Sequence, residues 1–392
     1  MSTIESLLPT TRRTLLAGAG ALASFGAASR AGAQAATPAA AKASEVARTL
    51  LAAQPVPALS LAVARPGAVV WAEALGKADL ELDVPAATAH RFKLGSISKV
   101  LTATVAAKLV SRGAVDLDAP IANWLSDLPE VHRRTTTKQL LTHQGGIRHY
   151  IARDADPAAP GGSIEFREYP NNQAILDIFI RDPLVGPPGA QVFYSTFGYT
   201  LASLVLEAAA KRPFAELVKS EIGAAFGLSS LDVDAYLDLC PMRVHGYNDA
   251  AARALTSFKA LVPGTPNTLT NARLTNPAYK LAGGGFVMTP SDIALFGAAM
   301  IDAPSAKITA AERALLFTPI ARNTNPPLGL GWRVDADAKG RARWHHAGSQ
   351  EGGRAGLVVY PELRLSIAFA SNVMTVPADV LRPSSDLADA FA

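Results

Sequence analysis

The chain has a single cysteine, Cys240, in 392 residues, so no internal disulfide can staple its fold. Within "DLCPM" that thiol reads as a small buried hydrophobe rather than a reactive group. An excess of either charge is also missing, with 37 Lys and Arg against 33 Asp and Glu. There is no run of five like charges and no basic stripe interleaved with aromatics, which removes the footprint of a nucleic-acid partner. HExxH, cysteine-rich ligand sets and G-x-S-x-G are absent, which leaves no metalloprotease helix, zinc knuckle or α/β-hydrolase elbow. His143 and His149, flanking "QGGIR", are therefore expected to be structural rather than metal ligands, and no cofactor is implied. The run Gly283-Gly284-Gly285 lacks the lysine of a phosphate-binding loop and is expected to permit close backbone packing.

Long hydrophobic runs are scarce as well. The apolar stretch from Leu15 to Ala28 is interrupted by Gly18, Gly20 and Gly26 and falls short of the ~18–20 residues of a spanning helix. It follows Arg12-Arg13 and ends at Ala31-Gly32-Ala33, a pattern that resembles a bacterial twin-arginine export signal cleaved before Gln34. The expectation is a periplasmic or secreted protein with no transmembrane segment after cleavage, a flexible leader over 34–43 and one domain over 44–392.

What is present changes period along the chain. "SEVARTLLAA" reads as a first helix capped by Ser44. "ALSLAVARPGAVVWAEALG" reads as a hairpin turning at Arg65-Pro66-Gly67. Helical patterns dominate the middle, and the last quarter returns to strands in "LGLGWRVD", "ARWHHAG", "RAGLVVYPE" and "LRLSIAFASN". Strands at both ends with helices between predict an α+β fold: one antiparallel sheet built from both chain ends, an inserted helical subdomain, and a cleft along their junction. The Pro- and Gly-rich connections 153–172 and 183–190 are long enough to form walls of that cleft.

"FKLGSISKVLTA" opens the helix expected over Ser96 to Arg112, with Gly113 at its stop. Ser96 and Lys99 are i and i+3 residues and share one helix face, and Ser96 lies where free backbone N–H groups favour developing negative charge. An N-cap serine followed by a surface lysine would be the ordinary reading of such a pair. The flanks are apolar or small, however, and a desolvated lysine shifts toward its neutral form and can serve as a base or tune one.

Together, "FKLGSISK", "LLTHQGGIRHY", "FYSTFGY", "LAGGGFVMTPSDIALF" and "HHAG" resemble the ordered motif set of the serine β-lactamase and penicillin-binding superfamily. The resemblance is to its class C branch with family VIII esterases, D-aminopeptidases and the mitochondrial β-lactamase-like protein, and it runs from about residue 45 to 372. It implies the β-lactamase/transpeptidase-like fold, Ser96 as an acylated nucleophile, Lys99 as its helix partner, and Tyr194 as the phenolate that relays the proton. It places the backbone N–H groups of Ser96 and Ser349 in an oxyanion hole and Thr196, His346 and Gly348 at the substrate. His346-Ala347-Gly348 stands where classical members carry K-T-G, His345 is then a surface residue, and Arg354 is a candidate for the missing fixed cation. Thr196 replaces an asparagine. Both departures shift the expected small-molecule substrate from a penicillin toward an ester, a small amide or a peptide. A true β-lactamase, a D-Ala-D-Ala carboxypeptidase and a non-catalytic, filament-forming scaffold are the alternatives.

Overall fold

Strand-forming sequence from the two ends of the chain is drawn into one sheet. The computed structural model describes residues 37–54, 56–255 and 269–392. The expected export signal lies outside the described residues. Strands β1 (Ala58–Arg65), β2 (Ala68–Asp79) and β3 (Val84–Pro85) come from the N-terminal part, and β4 (Arg333–Ala336), β5 (Ala342–Gln350), β6 (Gly353–Tyr360) and β7 (Leu365–Ser371) from the C-terminal part. They form a seven-stranded sheet in the order β3-β2-β1-β7-β6-β5-β4, antiparallel throughout. The closure that joins the ends is β1 on β7, with Leu61 opposite Phe369.

In β1, "ALSLAVAR" alternates small and large residues instead of polar and apolar ones, because both faces are covered. Leu59, Leu61 and Val63 enter one core with Ala43, Ala47, Ile367, Phe369 and Leu387. That core lies under α1 (Pro38–Ala53) and the C-terminal helix Leu381–Phe391. Ala58, Ala62 and Ala64 enter the other core, against the helical part. The helix Pro290–Ala299 packs there closely enough that a Cβ on Gly297 would meet Ser366 Oγ at 2.3 Å.

Helix α1 begins earlier than the sequence reading placed it. Thr37, not Ser44, caps it, accepting from Ala40 N at 3.1 Å with Pro38 in the first turn. A capping threonine with proline in the first turn is a favoured helix start, and residues 38–43 are helical rather than a flexible leader.

Helix α2 (Ser98–Ser111) runs through the middle of the helical part and is buried on every side. Residues as different as Lys99 and Val100 are therefore both core residues. Helix α3 (Thr137–Leu141) and helix α4 (Thr196–Ala210) pack on one another, and α4 also packs on α2. Cys240 is half-buried on a loop, not sealed in the core as expected, and burial pushes its thiol up, away from reactivity. Among the described residues no helix is long and apolar enough to cross a membrane, and no three His, Cys, Asp or Glu side chains gather as a metal site.

Candidate active site

Ser96 sits in a short 3₁₀ turn, Gly95–Ile97, that feeds directly into α2. It makes no capping bond to the helix, which starts two residues later than expected, at Ser98, and its hydroxyl is left for other partners. Gly95 makes that turn possible, with φ +48° and an absent Cβ that would fall 2.7 Å from Ser349 N.

Lys99, one turn on, is completely buried. Its Nζ donates to Ser96 Oγ at 3.1 Å, to Thr196 Oγ1 at 3.2 Å and to the Gly283 carbonyl at 2.7 Å. Three acceptors match the three protons of an ammonium. Burial pulls the amine below its usual range, while the charge of Tyr194 pulls it back up. Gly283 is the close-packing glycine expected from the sequence, and it also supplies the carbonyl that anchors Lys99.

Tyr194 precedes α4, whose N-cap Ser195 accepts from Gly198 N at 2.9 Å. Its hydroxyl donates to Ser96 Oγ at 2.8 Å, and Lys99 Nζ lies 4.9 Å from its ring centroid. Burial alone would raise the phenol, but the charge of Lys99, hydrogen bonds to Ser96 and Lys99, and the charge of Arg333 overcome it and leave it lowered. Six other tyrosines are pushed up by burial, even where a cation stands near, as Lys99 does over the Tyr199 ring at 5.4 Å. The contrast isolates Tyr194 as a phenol poised to ionise.

The opposite wall is β5. A Cβ on Gly348 would lie 1.9 Å from Leu94 O and 2.8 Å from Ser96 N, so only glycine lets the strand come this close. The backbone nitrogens of Ser96 and Ser349 thereby lie on either side of one close approach of Gly95 and Gly348, while Ser349 Oγ donates to Met374 O at 2.7 Å. Thr196 is buried, with its hydroxyl against Lys99 rather than on an open wall. His346 is buried beside the cluster with Nδ1 2.7 Å from Ala347 O, and burial, with the charges of Arg333 and Lys99, holds it well below its usual pKa and neutral.

Two expectations on this wall are corrected. His345 is not a surface residue: it is buried, with Nε2 3.3 Å from Asp335 Oδ1, because the edge strand β4 covers it. Arg354 stands opposite Ser349 on β6 and donates to Ala378 O at 2.8 Å, which ties it to the 372–380 segment instead of the cleft.

The cation near the cluster is Arg333, at the start of β4. It lines a cavity of about 130 Å³ together with His143, Val192, Tyr194 and His346, and it has no carboxylate partner among the described residues. Sequence reasoning missed Arg333 and the Gly283 carbonyl. His143 and His149 are structural, as expected, but at the site itself: their Nδ1 atoms accept from Ser195 N at 3.1 Å and Thr196 N at 3.3 Å.

The chain itself has relatives. The chain is 28% identical over 306 residues to the human mitochondrial serine beta-lactamase-like protein LACTB, covering 62% of this chain and 53% of that protein. It is 26% identical over 248 residues to esterase EstB of Burkholderia gladioli, covering 59% of this chain and 62% of that enzyme. The chain thus spans little more than half the length of these curated relatives. In fold it is similar to D-amino acid amidase from Ochrobactrum anthropi SV3, solved with L-phenylalanine, at a TM-score of 0.75 and 22% identity over 89% of this chain and 98% of that one. The beta-lactamase family model matches residues 43–390, a span that takes in both walls of the Ser96 cleft, and the chain belongs to that family of serine β-lactamase-like hydrolases.

Proposed function

We propose that the protein is an exported serine hydrolase that acts through an acyl-enzyme on esters or small amides. The observation that carries this reading is the contact of Ser96 Oγ with both Tyr194 Oη, at 2.8 Å, and Lys99 Nζ, at 3.1 Å, beside a lowered Tyr194 phenol.

In this reading Tyr194, ionised beside the Lys99 ammonium, takes the Ser96 proton as Oγ attacks the substrate carbonyl. The oxyanion forms at the N–H groups of Ser96 and Ser349. Tyr194 then gives its proton to the departing oxygen or nitrogen, leaving the acyl group on Oγ. Water enters, passes a proton to Tyr194 and attacks the ester, and Oγ recovers that proton as the acid departs. Lys99 stays charged throughout and keeps the phenolate accessible near neutral pH.

Neutral His346 gives the cleft no fixed charge where the classical lysine would stand, which favours esters and small amides over penicillins. EstB is an esterase and the Ochrobactrum protein an amidase by name, and these substrate classes suit the site. The Arg12-Arg13 segment supports the export part of this reading, which is tested by following where a tagged full-length chain accumulates. The mechanism is tested by mass spectrometry after incubation with an activated ester, a D-amino acid amide and a β-lactam. The expected result is an acyl adduct on Ser96 with the ester or the amide and its loss in Ser96→Ala. Adducts with the β-lactam alone would favour a penicillin-binding role, and no adduct with any probe would favour the scaffold.

A further inference from the structure

Tyr194 is held by one residue from both sides. The backbone N–H of Phe193 donates to the His143 carbonyl at 2.8 Å, and that of Ser195 donates to His143 Nδ1 at 3.1 Å. The N–H groups of the residues before and after Tyr194 therefore end on the same residue, 51 positions before Tyr194 in the chain. The imidazole also packs on the Tyr194 ring at a centroid distance of 4.3 Å and on Tyr199 behind it at 5.2 Å.

Three features make this a fitted clamp rather than ordinary packing. His143 is one of only six non-glycine residues with a positive φ among the described residues, at +60°, a conformation that non-glycine side chains adopt rarely and that persists where the surroundings demand it. The side chain is buried. A backbone N–H can only donate, so Nδ1 is the acceptor and the ring proton sits on Nε2. Burial, with the charges of Lys99, Arg333 and His149, keeps the ring in this neutral form. A neutral ring orients Tyr194 and leaves the lowering of its phenol to Lys99 and Arg333.

We infer that His143 is the positioning residue of the site: it fixes Tyr194 Oη over Ser96 Oγ by accepting from the N–H groups of both neighbouring residues, Phe193 and Ser195, and packing on the ring. The inference rests on the reading of Tyr194 as the proton carrier. It assigns His143 no contact with substrate and no proton transfer. Misplacing a reacting group by about 1 Å lowers rates by about 10²-fold, and a Tyr194 that drifts from Lys99 also loses the charge that lowers its phenol.

The test uses His143→Gly, which accepts the positive φ but removes the ring and the acceptor, and His143→Asn, which also tolerates that φ and restores an acceptor near Nδ1. His143→Gly is expected to lower kcat on an activated ester by about 10²-fold with KM changed less than threefold, and to move the acid limb of the kcat/KM profile to higher pH. His143→Asn is expected to recover at least tenfold of that loss. Ultraviolet titration of tyrosine, with Tyr194→Phe identifying its component, reads the same shift without substrate. A His143→Gly enzyme with wild-type kcat and Tyr194 titration overturns the clamp, as does an Asn variant no better than Gly at equal folded fraction. If Tyr194→Phe itself keeps full activity, the proton-carrier reading has failed instead, and the titration arm still decides whether His143 sets the state of Tyr194.

Discussion

Lys99 Nζ donates to the carbonyl of Gly283 at 2.7 Å, and Gly283 is also the residue whose missing Cβ leaves room for that amine. A Cβ there would lie 2.5 Å from Thr196 Cγ2 and 3.2 Å from Lys99 Nζ. The two partners of Lys99 other than Ser96 are thus fitted to each other across a space with no methyl group to spare.

Gly283→Ala is therefore expected to lower kcat on an activated ester by about 10²-fold and to destabilise the fold by about 1–3 kcal/mol through overpacking. The nearest clash is with the methyl of Thr196, which serine lacks while keeping the hydroxyl. Adding Thr196→Ser should recover most of the lost stability and at least part of the activity. The double variant separates this crowding from a general loss of fold, and thermal unfolding with ester kinetics on both variants measures it. If the second substitution rescues nothing, the contact between 283 and 196 is not what constrains Lys99.

Replacing Lys99 itself separates stability from function. Lys99→Met keeps the aliphatic volume and removes a fully buried amine, so the melting temperature is expected to stay level or rise. Activity should fall by about 10³-fold or more. Without the cation, burial dominates Tyr194 and pushes its phenol above the usual range, so the residual activity should rise with pH to a more alkaline limit than wild type. Activity grows in that direction because the ionised phenol is the base. The wild-type limb belongs to the coupled Lys99 and Tyr194 pair rather than to either group, and a Met variant with an unshifted limb would show that Lys99 does not tune Tyr194.

Ser96 and Lys99 were legible because three residues along a helix fix their relation locally, and Tyr194 because its motif arrives in order with theirs. The sheet was legible from the change of period at both ends of the chain. The start of α1 was obscured by its alanines, although Thr37-Pro38 is ordinary cap chemistry. Arg333 was missed and His345 misjudged because the local hairpin of β4 on β5 that joins them does not say what surrounds it: Arg333 meets His143, Val192 and Tyr194 only through tertiary packing, which has no local signature. The same holds for the bond from Ser195 to His143, in which a loop before α4 meets the end of α3.

Acid should unfold this protein early, and histidines are the reason. His143 and His346 are held well below their usual pKa by burial, and His149 is held at about 4. In the unfolded chain each takes up a proton near pH 6.5, whereas in the native state each resists it. Their stabilising contribution is complete above about pH 6.5 and is lost as pH falls from there toward the native values. Each contributes up to about 1.4 kcal/mol per pH unit over that window. Denaturant midpoints are expected to be level from pH 8 to 7 and to drop steeply from pH 6.5 to 5, with a shallower slope in His346→Gln. A profile flat to pH 5 would show that these rings are not buried in the neutral form.

Arg333 should sort substrates by the charge of the leaving group. Tyr194, the proton donor to that group in the proposed mechanism, shares the 130 Å³ cavity with Arg333, and the remaining polar side chains there include two histidines held neutral. A carboxylate on the departing fragment would meet a cation that has no acidic partner among the described residues, and a charge-assisted bond of that kind is worth about 1.5–3 kcal/mol. Hydrolysis of a 3-carboxyphenyl ester is compared with that of the phenyl ester of the same acid. Arg333→Gln also weakens the pull on the Tyr194 phenol, but this burdens both esters equally and cancels in their ratio. The ratio of kcat/KM for the charged over the neutral ester is expected to fall about tenfold in Arg333→Gln, or about 1.4 kcal/mol, and less in Arg333→Lys, which keeps the charge but not the planar fork. An unchanged ratio would leave Arg333 as a tuner of Tyr194 alone and place any substrate carboxylate elsewhere in the cleft.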